Sequence, residues 1–321
     1  MIYNTAVVTK SFYIHWPFCP YKCHFCPFVA IAGQDSFMTQ YHKALWKEID
    51  GYMEAVEQTP LDTLFFGGGT PSTYPDDLLL DTFGRLRGYN LLTNDTEVTI
   101  EVNPGTVRQE QLPLWKEAGI TRLSIGVQSL NDQVLKKLNR QQSHTDVMTL
   151  IEQASVFFNN LSIDLILGLP GVSDEEWKQL IMTVVQWPIN HISVYFLTVH
   201  EETVLFFKVK RNDITLPDEE WMVDLYEWTI ACLQEHGFVH YETSNFARPG
   251  FESQHNQVYW DHKPYKGFGL GACSFDGERR LQNEKNLKEY LTKIEQGVAI
   301  TIFAEELTLE QLRLEKNLCW G

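Results

Sequence analysis

Cys19-Pro20-Tyr21-Lys22-Cys23-His24-Phe25-Cys26 places three thiols within eight residues, with three and then two residues between them. The stretch follows closely on a strand-like run, Ser11-Phe12-Tyr13-Ile14-His15. Thiolate sulfurs suit iron–sulfur clusters and zinc. Three thiols fall one short of the set for a four-iron cluster, so they can hold three irons and leave the fourth open to a ligand that is not protein. Zinc asks for a fourth protein ligand, and His24 lies inside the loop. Structural zinc, however, pairs short cysteine clips from two places in a chain, and the sequence has no second clip. A purely structural loop is the third reading.

Outward from the loop the chain repeats one unit. Gln40 to Val56 carries Tyr41, Leu45, Ile49, Tyr52, Met53 and Val56 at helical spacing. Thr63-Leu64-Phe65-Phe66 is a short apolar run stopped by Gly67-Gly68-Gly69-Thr70-Pro71, which reads as a buried strand with a turn at its end. Helices are expected at Asp76–Arg87, Arg108–Ala118, Thr145–Phe158 and Asp174–Val185, and strands at Glu97–Val102, Arg122–Val127, Leu161–Leu167 and His191–Leu197. Gly119 is the stop of the second of these helices. Ser173 and Glu176 form a capping box for the last.

Strand, loop and helix thus alternate about six times, which demands parallel strands with crossover helices. The strands are apolar almost throughout, as in sheets covered on both faces. About six units fall short of an eight-stranded barrel, so an open or partial barrel is expected. The rival is a Rossmann-like sheet, against which stands the absence of a Gly-x-Gly-x-x-Gly after the first strand. Near residue 200 the rhythm breaks, giving a division into residues 1–200 and an extension over 201–321. The extension holds a long helix at Pro217–His236, aromatic and glycine-rich segments, a helix at Leu287–Gln296 and the start of another at Thr308.

Composition narrows the classes. The chain has 321 residues and a net charge of -16, with no basic run, so nucleic acid is a poor partner. No apolar stretch approaches the ~20 residues needed to cross a bilayer, although contact with a membrane surface stays open. Met1–Lys10 does not read as a signal peptide. Three of the six cysteines are clustered, and Cys232, Cys273 and Cys319 are scattered and read as small buried hydrophobes. That pattern belongs to a metal or redox site in a reducing compartment, which places the protein in the cytoplasm.

In barrels of parallel strands, function gathers at the C-terminal strand ends. Those ends carry the cysteine loop, the glycine triplet, Glu101-Val102-Asn103-Pro104, Gly126-Val127-Gln128-Ser129, and Asp164 within Asp164-Leu165-Ile166-Leu167-Gly168-Leu169-Pro170. Glycines let backbone groups approach a ligand closely. Glu101 or Asp164 can accept bonds from an amine or ribose hydroxyls, and Arg140 can clamp a carboxylate with two bonds. Each of these also has a plain reading as turn, cap or surface charge.

Cys-x-x-x-Cys-x-x-Cys after a strand, with Gly-Gly-Gly-Thr-Pro following, resembles the radical S-adenosylmethionine (SAM) superfamily. Tyr13-Ile14-His15-Trp16-Pro17-Phe18-Cys19, Glu101-Val102-Asn103-Pro104-Gly105, Ser124-Ile125-Gly126-Val127-Gln128-Ser129, Asn139-Arg140 and the Asp164 segment resemble its oxygen-independent coproporphyrinogen III oxidase group, from about residue 11 to 300. True oxidases carry a fourth cysteine where this chain has Phe28. Tyr241-Glu242-Thr243-Ser244-Asn245-Phe246-Ala247 and His255-Asn256-Gln257-Val258-Tyr259-Trp260 are similar to segments of the heme chaperone branch, HemW.

The resemblance implies a partial six-unit (β/α) barrel of TIM-like type with a C-terminal α+β extension. It implies a [4Fe-4S] cluster on Cys19, Cys23 and Cys26, with SAM on the open iron. Tyr13 and Phe25 would line cluster and ligand. Gly68, Gly69 and Thr70 would bind the methionine end, and Glu101, Gln128, Arg140 and Asp164 the amine, carboxylate and ribose. Thr198 would meet the adenosine. Heme would be cargo for acceptor proteins, with His255 its candidate ligand; the other reading of His255 is that it packs the extension against the barrel. The alternative activity is oxidative decarboxylation of coproporphyrinogen III, in which a 5′-deoxyadenosyl radical takes hydrogen from a propionate. Relatives usually continue past the Thr308 helix into a small winged-helix-like domain, which this sequence is expected to lack.

Overall fold

The computed structural model describes residues 8–308 and 310–313. Cys319, the chain end and residues 1–7 of the lead-in lie outside the described residues.

Twelve elements alternate from the start. They are β1 (Ser11–Trp16), α1 (Met38–Met53), β2 (Thr63–Gly68), α2 (Asp76–Gly88), β3 (Glu97–Val102), α3 (Gln111–Ala118), β4 (Arg122–Gln128), α4 (Asp132–Lys137), α5 (His144–Phe157), β5 (Leu161–Leu167), α6 (Asp174–Val184) and β6 (His191–Phe196). The stops are local chemistry. Gly119 ends α3 in the left-handed conformation. Ser173 and Glu176 close the expected capping box on α6, and Ser143 with Asp146 closes another on α5. Asn131 caps α4 by accepting from the backbone of Gln133 and Val134.

The later segment adds α7 (Val204–Lys210), α8 (Glu219–Glu235), β7 (Val239–Glu242), β8 (Asn245–Ala247), α9 (Gln254–Trp260), β9 (Lys266–Phe268), β10 (Cys273–Phe275), β11 (Arg279–Asn283), α10 (Leu287–Gln296) and β12 (Thr301–Glu306). Thr308 and Gln311 exchange the reciprocal bonds of a helix start, as the sequence suggests.

Nine strands form one sheet in the order β9-β1-β2-β3-β4-β5-β6-β8-β7. β9 through β6 run parallel, while β8 and β7 turn antiparallel at the far edge. The fold is therefore a mixed α/β fold on a mostly parallel sheet. The six alternating units supply its centre, and three short strands of the later segment extend both its edges. β10, β11 and β12 form a separate antiparallel sheet.

One face of the sheet packs on the helices through Phe12, Ile14, Leu64, Phe66, Val98, Ile100, Leu123 and Ile125, all almost fully buried. Each such burial contributes roughly 1.5–3 kcal/mol. The alternate residues point the other way and are mostly polar: Tyr13, His15, Thr99, Glu101, Arg122, Ser124, Ser162, Asp164, His191 and Ser193, with Phe65 and Ile166 as apolar members. Strand periodicity thus sorts an apolar outer face from a mostly polar inner face.

Candidate functional site

A cavity of about 500 Å³ opens at the C-terminal ends of the parallel strands. Its lining includes Cys19, Cys23, Phe25, Cys26, Gly68, Gly69, Thr70, Glu101, Gln128, Arg140, Asp164 and Thr198. Twelve of the fourteen residues singled out in the sequence therefore meet in one place.

The cysteine loop is tied on both sides. The Ile31 N–H donates to the Pro17 carbonyl, bringing the returning chain back beside β1. The His24 N–H donates to the Leu138 carbonyl, and the Leu205 N–H donates to the His24 carbonyl. Asn139 Nδ2 donates to the Lys22 carbonyl at 2.9 Å. Phe25 packs with the small apolar group of Val134, Leu138, Leu169 and Leu205. The loop is thus held by α4 and α7 as well as by its own turn, in which the Cys26 N–H donates to the Cys23 carbonyl.

The thiols have distinct surroundings. Thr70 Oγ1 donates to Cys19 Sγ at 3.2 Å, and Arg140 Nη1 lies 3.8 Å from Cys23 Sγ. Burial pushes the Cys19 thiol up to about 11 against the Thr70 hydrogen bond, and the neighbouring Cys26 and Cys23 push the same way. Burial also raises Cys26. A bound cation would reverse that balance, because a coordinating thiol is deprotonated.

The glycine triplet works by close approach. Gly68 sits at φ +116°, and a Cβ there would lie 2.6 Å from the His15 ring. A Cβ on Gly69 would lie 2.5 Å from the Pro17 carbonyl oxygen. The freed backbone is used: the Gly68 N–H donates to Glu101 Oε2 at 3.1 Å. Across the cavity β4 carries an irregular register between Gly126 and Gln128, and Gln128 adopts φ +65°. A non-glycine residue in that conformation is uncommon, and the bulge turns Gln128 toward the cavity.

Glu101 and Asp164 form an acid pair on the inner wall. Burial lifts Glu101 to about 8, helped by the Asp164 charge and opposed by the Gly68 N–H. Burial raises Asp164 too, opposed by Ser193, Arg122 and Ser124. Ser124 Oγ donates to Asp164 Oδ2 at 3.2 Å. Arg140 is only 7% exposed. Its Nη2 donates to the Gly126 carbonyl at 2.6 Å and its Nε to Gln142 Oε1 at 2.7 Å. The guanidinium is therefore pinned, with Nη1 beside Cys23. Protein acceptors take the Nε and one Nη2 N–H of Arg140, which leaves Nη1 and the second Nη2 N–H for a ligand.

Two expected residues stand apart. Tyr13 does not line the cavity. It lies under the floor, where a Cβ on Gly67 would be 2.7 Å from its ring, and its hydroxyl pairs with His15 Nδ1 at 3.1 Å. His255 lies at the opposite end of the barrel, 1% exposed. Its Nδ1 pairs with Thr63 Oγ1 at 2.7 Å and its Nε2 with the Tyr259 hydroxyl at 2.8 Å. Both ring nitrogens are occupied, so in this conformation His255 offers no axial bond to heme. Its contacts are those of the packing role.

Cys273 departs from its expectation as a buried hydrophobe: it is exposed at the start of β10, 3.5 Å from Gln282 Nε2. Cys232 is buried as expected. Sequence reasoning missed Ile166, Tyr195, Phe196, Leu197 and His200 on the cavity wall. The alternation of β5 and β6 carried a signal, since Ile166 and Tyr195 continue the inward rows of Asp164 and Ser193.

The donor set suits an iron–sulfur cluster: three thiols open on one cavity with a hydroxyl, a guanidinium and glycine backbone around them. Among the described residues no three His, Cys, Asp or Glu side chains converge on a single metal-ion position. No helix among the described residues is long and apolar enough to cross a membrane.

Residues 13–184 match the radical SAM superfamily. The chain is 36% identical to the heme chaperone HemW of Bacillus subtilis over 312 residues, covering 96% of this chain and 82% of that one. It is 31% identical to HemW of Lactococcus lactis over 313 residues, covering 97% and 81%. Among solved structures, the coproporphyrinogen III oxidase HemN of Escherichia coli superposes with a TM-score of 0.85 at 26% identity, covering 98% of this chain and 76% of that one.

Proposed function

This chain belongs to the radical SAM superfamily and, within it, to the family of the HemW heme chaperones, and from that premise we propose how its cavity serves heme delivery. The observation that carries the reading is the similarity to HemW proteins along almost the whole chain. Phe28 agrees with it. The residue two past the last thiol is 64% exposed at the cavity wall, an apolar ring where the oxidases would place another thiol.

Cys19, Cys23 and Cys26 hold a [4Fe-4S] cluster, and SAM occupies the remaining cavity. Bound there, the cluster and SAM supply one-electron chemistry. The chain's own residues do the binding and orienting. Gly68 and Gly69 bring backbone within reach of the methionine end of SAM, and Thr70 fixes Cys19. Glu101 and Asp164 accept from the ammonium group and the ribose hydroxyls, and Gln128 and Arg140 meet the carboxylate. Thr198, exposed on the wall, meets the adenosine. Within the first unit, residues 1–200, Cys19 to His200 furnish this cavity, and the described part of the extension over 201–321 braces it. The protein works in the cytoplasm, binding heme and handing it to acceptor proteins.

Titration of the anaerobically reconstituted protein with heme tests the reading. A stoichiometric Soret band is expected, with transfer of the band to an added heme-free acceptor. No saturable band would sink the chaperone reading. Coproporphyrinogen III incubated in parallel with SAM and reductant is expected to give no protoporphyrinogen.

A further inference from the structure

Arg122 opens β4 and faces the interior of the barrel. It is 2% exposed, and its Nε has no hydrogen-bond partner. Directly opposite in register on β3 stands Thr99, fully buried, whose Oγ1 is likewise without a partner. Arg122 makes no ion pair among the described residues. A buried guanidinium without a contact partner costs several kcal/mol, so its place calls for a physical account.

Register supplies one. Arg122 lies two residues before Ser124 on the same face of β4, roughly 7 Å along the strand. Ser124 is paired with Glu101 on β3, and its hydroxyl holds Asp164 on β5. Arg122 therefore stands one register step beneath Glu101 and two beneath Asp164, and makes no hydrogen bond or ion pair with either carboxylate. The other groups around the pair are Arg140 from above and the hydroxyls of Tyr13, Tyr195 and Tyr259. Burial keeps those three phenols neutral. His191 and His255, on β6 and α9, also feel the Arg122 charge, and both are held neutral by burial. Tyr241, on β7, feels the same charge and is held neutral by burial too. Arg122 and Arg140 are thus the cations facing the pair among the described residues.

We propose that Arg122 is a positioning residue that eases the ionisation of Glu101 and Asp164 toward a cationic ligand from beneath the cavity, without occupying the oxygens that the ligand needs. A contact salt bridge would spend those oxygens on the protein. A guanidinium at a lower register level leaves them to accept from an ammonium group. Its charge opposes the burial that protonates both acids, as their shifts record.

The inference rests on SAM as the ligand of this cavity, so wild-type binding is the control. SAM affinity of the reconstituted protein is measured from pH 6 to pH 9 for wild type, Arg122→Met, Arg122→Gln and Arg122→Lys. Wild-type affinity rises with pH as the pair ionises. In Arg122→Met the midpoint moves up by about one pH unit, weakening binding about tenfold at neutral pH and recovering at high pH. Arg122→Gln carries the same prediction while keeping a polar group for Thr99, which covers a failure of the apolar variant to fold. Arg122→Lys keeps the wild-type midpoint. An unchanged midpoint, or an equal loss at every pH, overturns the inference. Absence of wild-type binding at every pH would instead overturn the ligand reading.

Discussion

The two ends of the barrel use the same residue types for opposite purposes. At the N-terminal end many buried polar side chains are tied to protein partners, although Arg122, Thr99 and Asn160 each carry a buried atom without one. Ser162, His191, Tyr241 and the Ser253 N–H form a chain of hydrogen bonds. Glu97 accepts from the N–H groups of Gln254 and His255 at the start of α9. At the C-terminal end Glu101 shares one oxygen with the Gly68 N–H, the thiols have weak partners, and the cavity takes the rest. An acid in a closed network is glue, whereas an acid in an open one is a receptor. Strand position decides which, because helices and loops cover one end and leave the other to a ligand.

The sharpest way to break this comparison is at the open end. Cys23→Ser is expected to abolish cluster assembly, with iron and acid-labile sulfide per chain falling to background while the far-ultraviolet spectrum is retained. Retention of a full complement of iron would remove the cluster from this loop. At the closed end the effect falls on stability instead. Glu97→Ala leaves the buried N–H of His255 and the part-buried N–H of Gln254 without their acceptor and should cost about 1–3 kcal/mol, read by urea unfolding. SAM affinity should stay at the wild-type value, and a selective loss of SAM binding would blur the distinction between the ends.

Glu101 sharpens it through pH. Its native pKa near 8 lies above the ordinary value of 4.5. Between those values the folded chain binds a proton that the unfolded chain does not, so stability falls as pH rises through the window. Glu101→Gln cannot ionise and should flatten that decline, with a melting temperature several degrees above wild type at pH 8.5 and little changed at pH 5. The same variant should bind SAM about tenfold more weakly at pH 8.5. A wild-type decline that survives the substitution would assign it to other groups. The smallest effect is expected at the rim: Phe28→Ala should change stability by under about 0.5 kcal/mol while weakening heme binding severalfold. Unaltered heme affinity would place the cargo away from this aromatic.

Much of this was legible in the residues. Glu97–Val102, Leu161–Leu167 and Leu287–Gln296 have the boundaries that their periodicity predicts. Long amphipathic or apolar runs bounded by glycines and caps declare themselves. β7, β8 and β9 did not, because three or four residues are too few to show a period, and their place at the sheet edges depends on partners distant in sequence. Cavity residues at strand ends were readable because parallel topology gathers those ends. Arg122 was not, since an arginine at the first position of a strand usually faces water. His255 misleads for a related reason: an imidazole beside Asn256 and near an aromatic pair looks available until Thr63 and Tyr259 are brought to it by the fold.

The pairing of β9 with β1 has a consequence for how the chain is made. The strand that launches the cysteine loop borders β2 on one side and Lys266–Phe268 on the other. During translation its outer edge stays bare until some 250 further residues have emerged, roughly 10–50 s at ordinary elongation rates. Throughout that interval the loop is tethered to a sheet whose edge beside Phe12–Ile14 is unpaired. A nascent chain stalled before Lys266 therefore carries the cysteine loop on a strand paired on one side only, whereas the finished chain carries it on a strand paired on both.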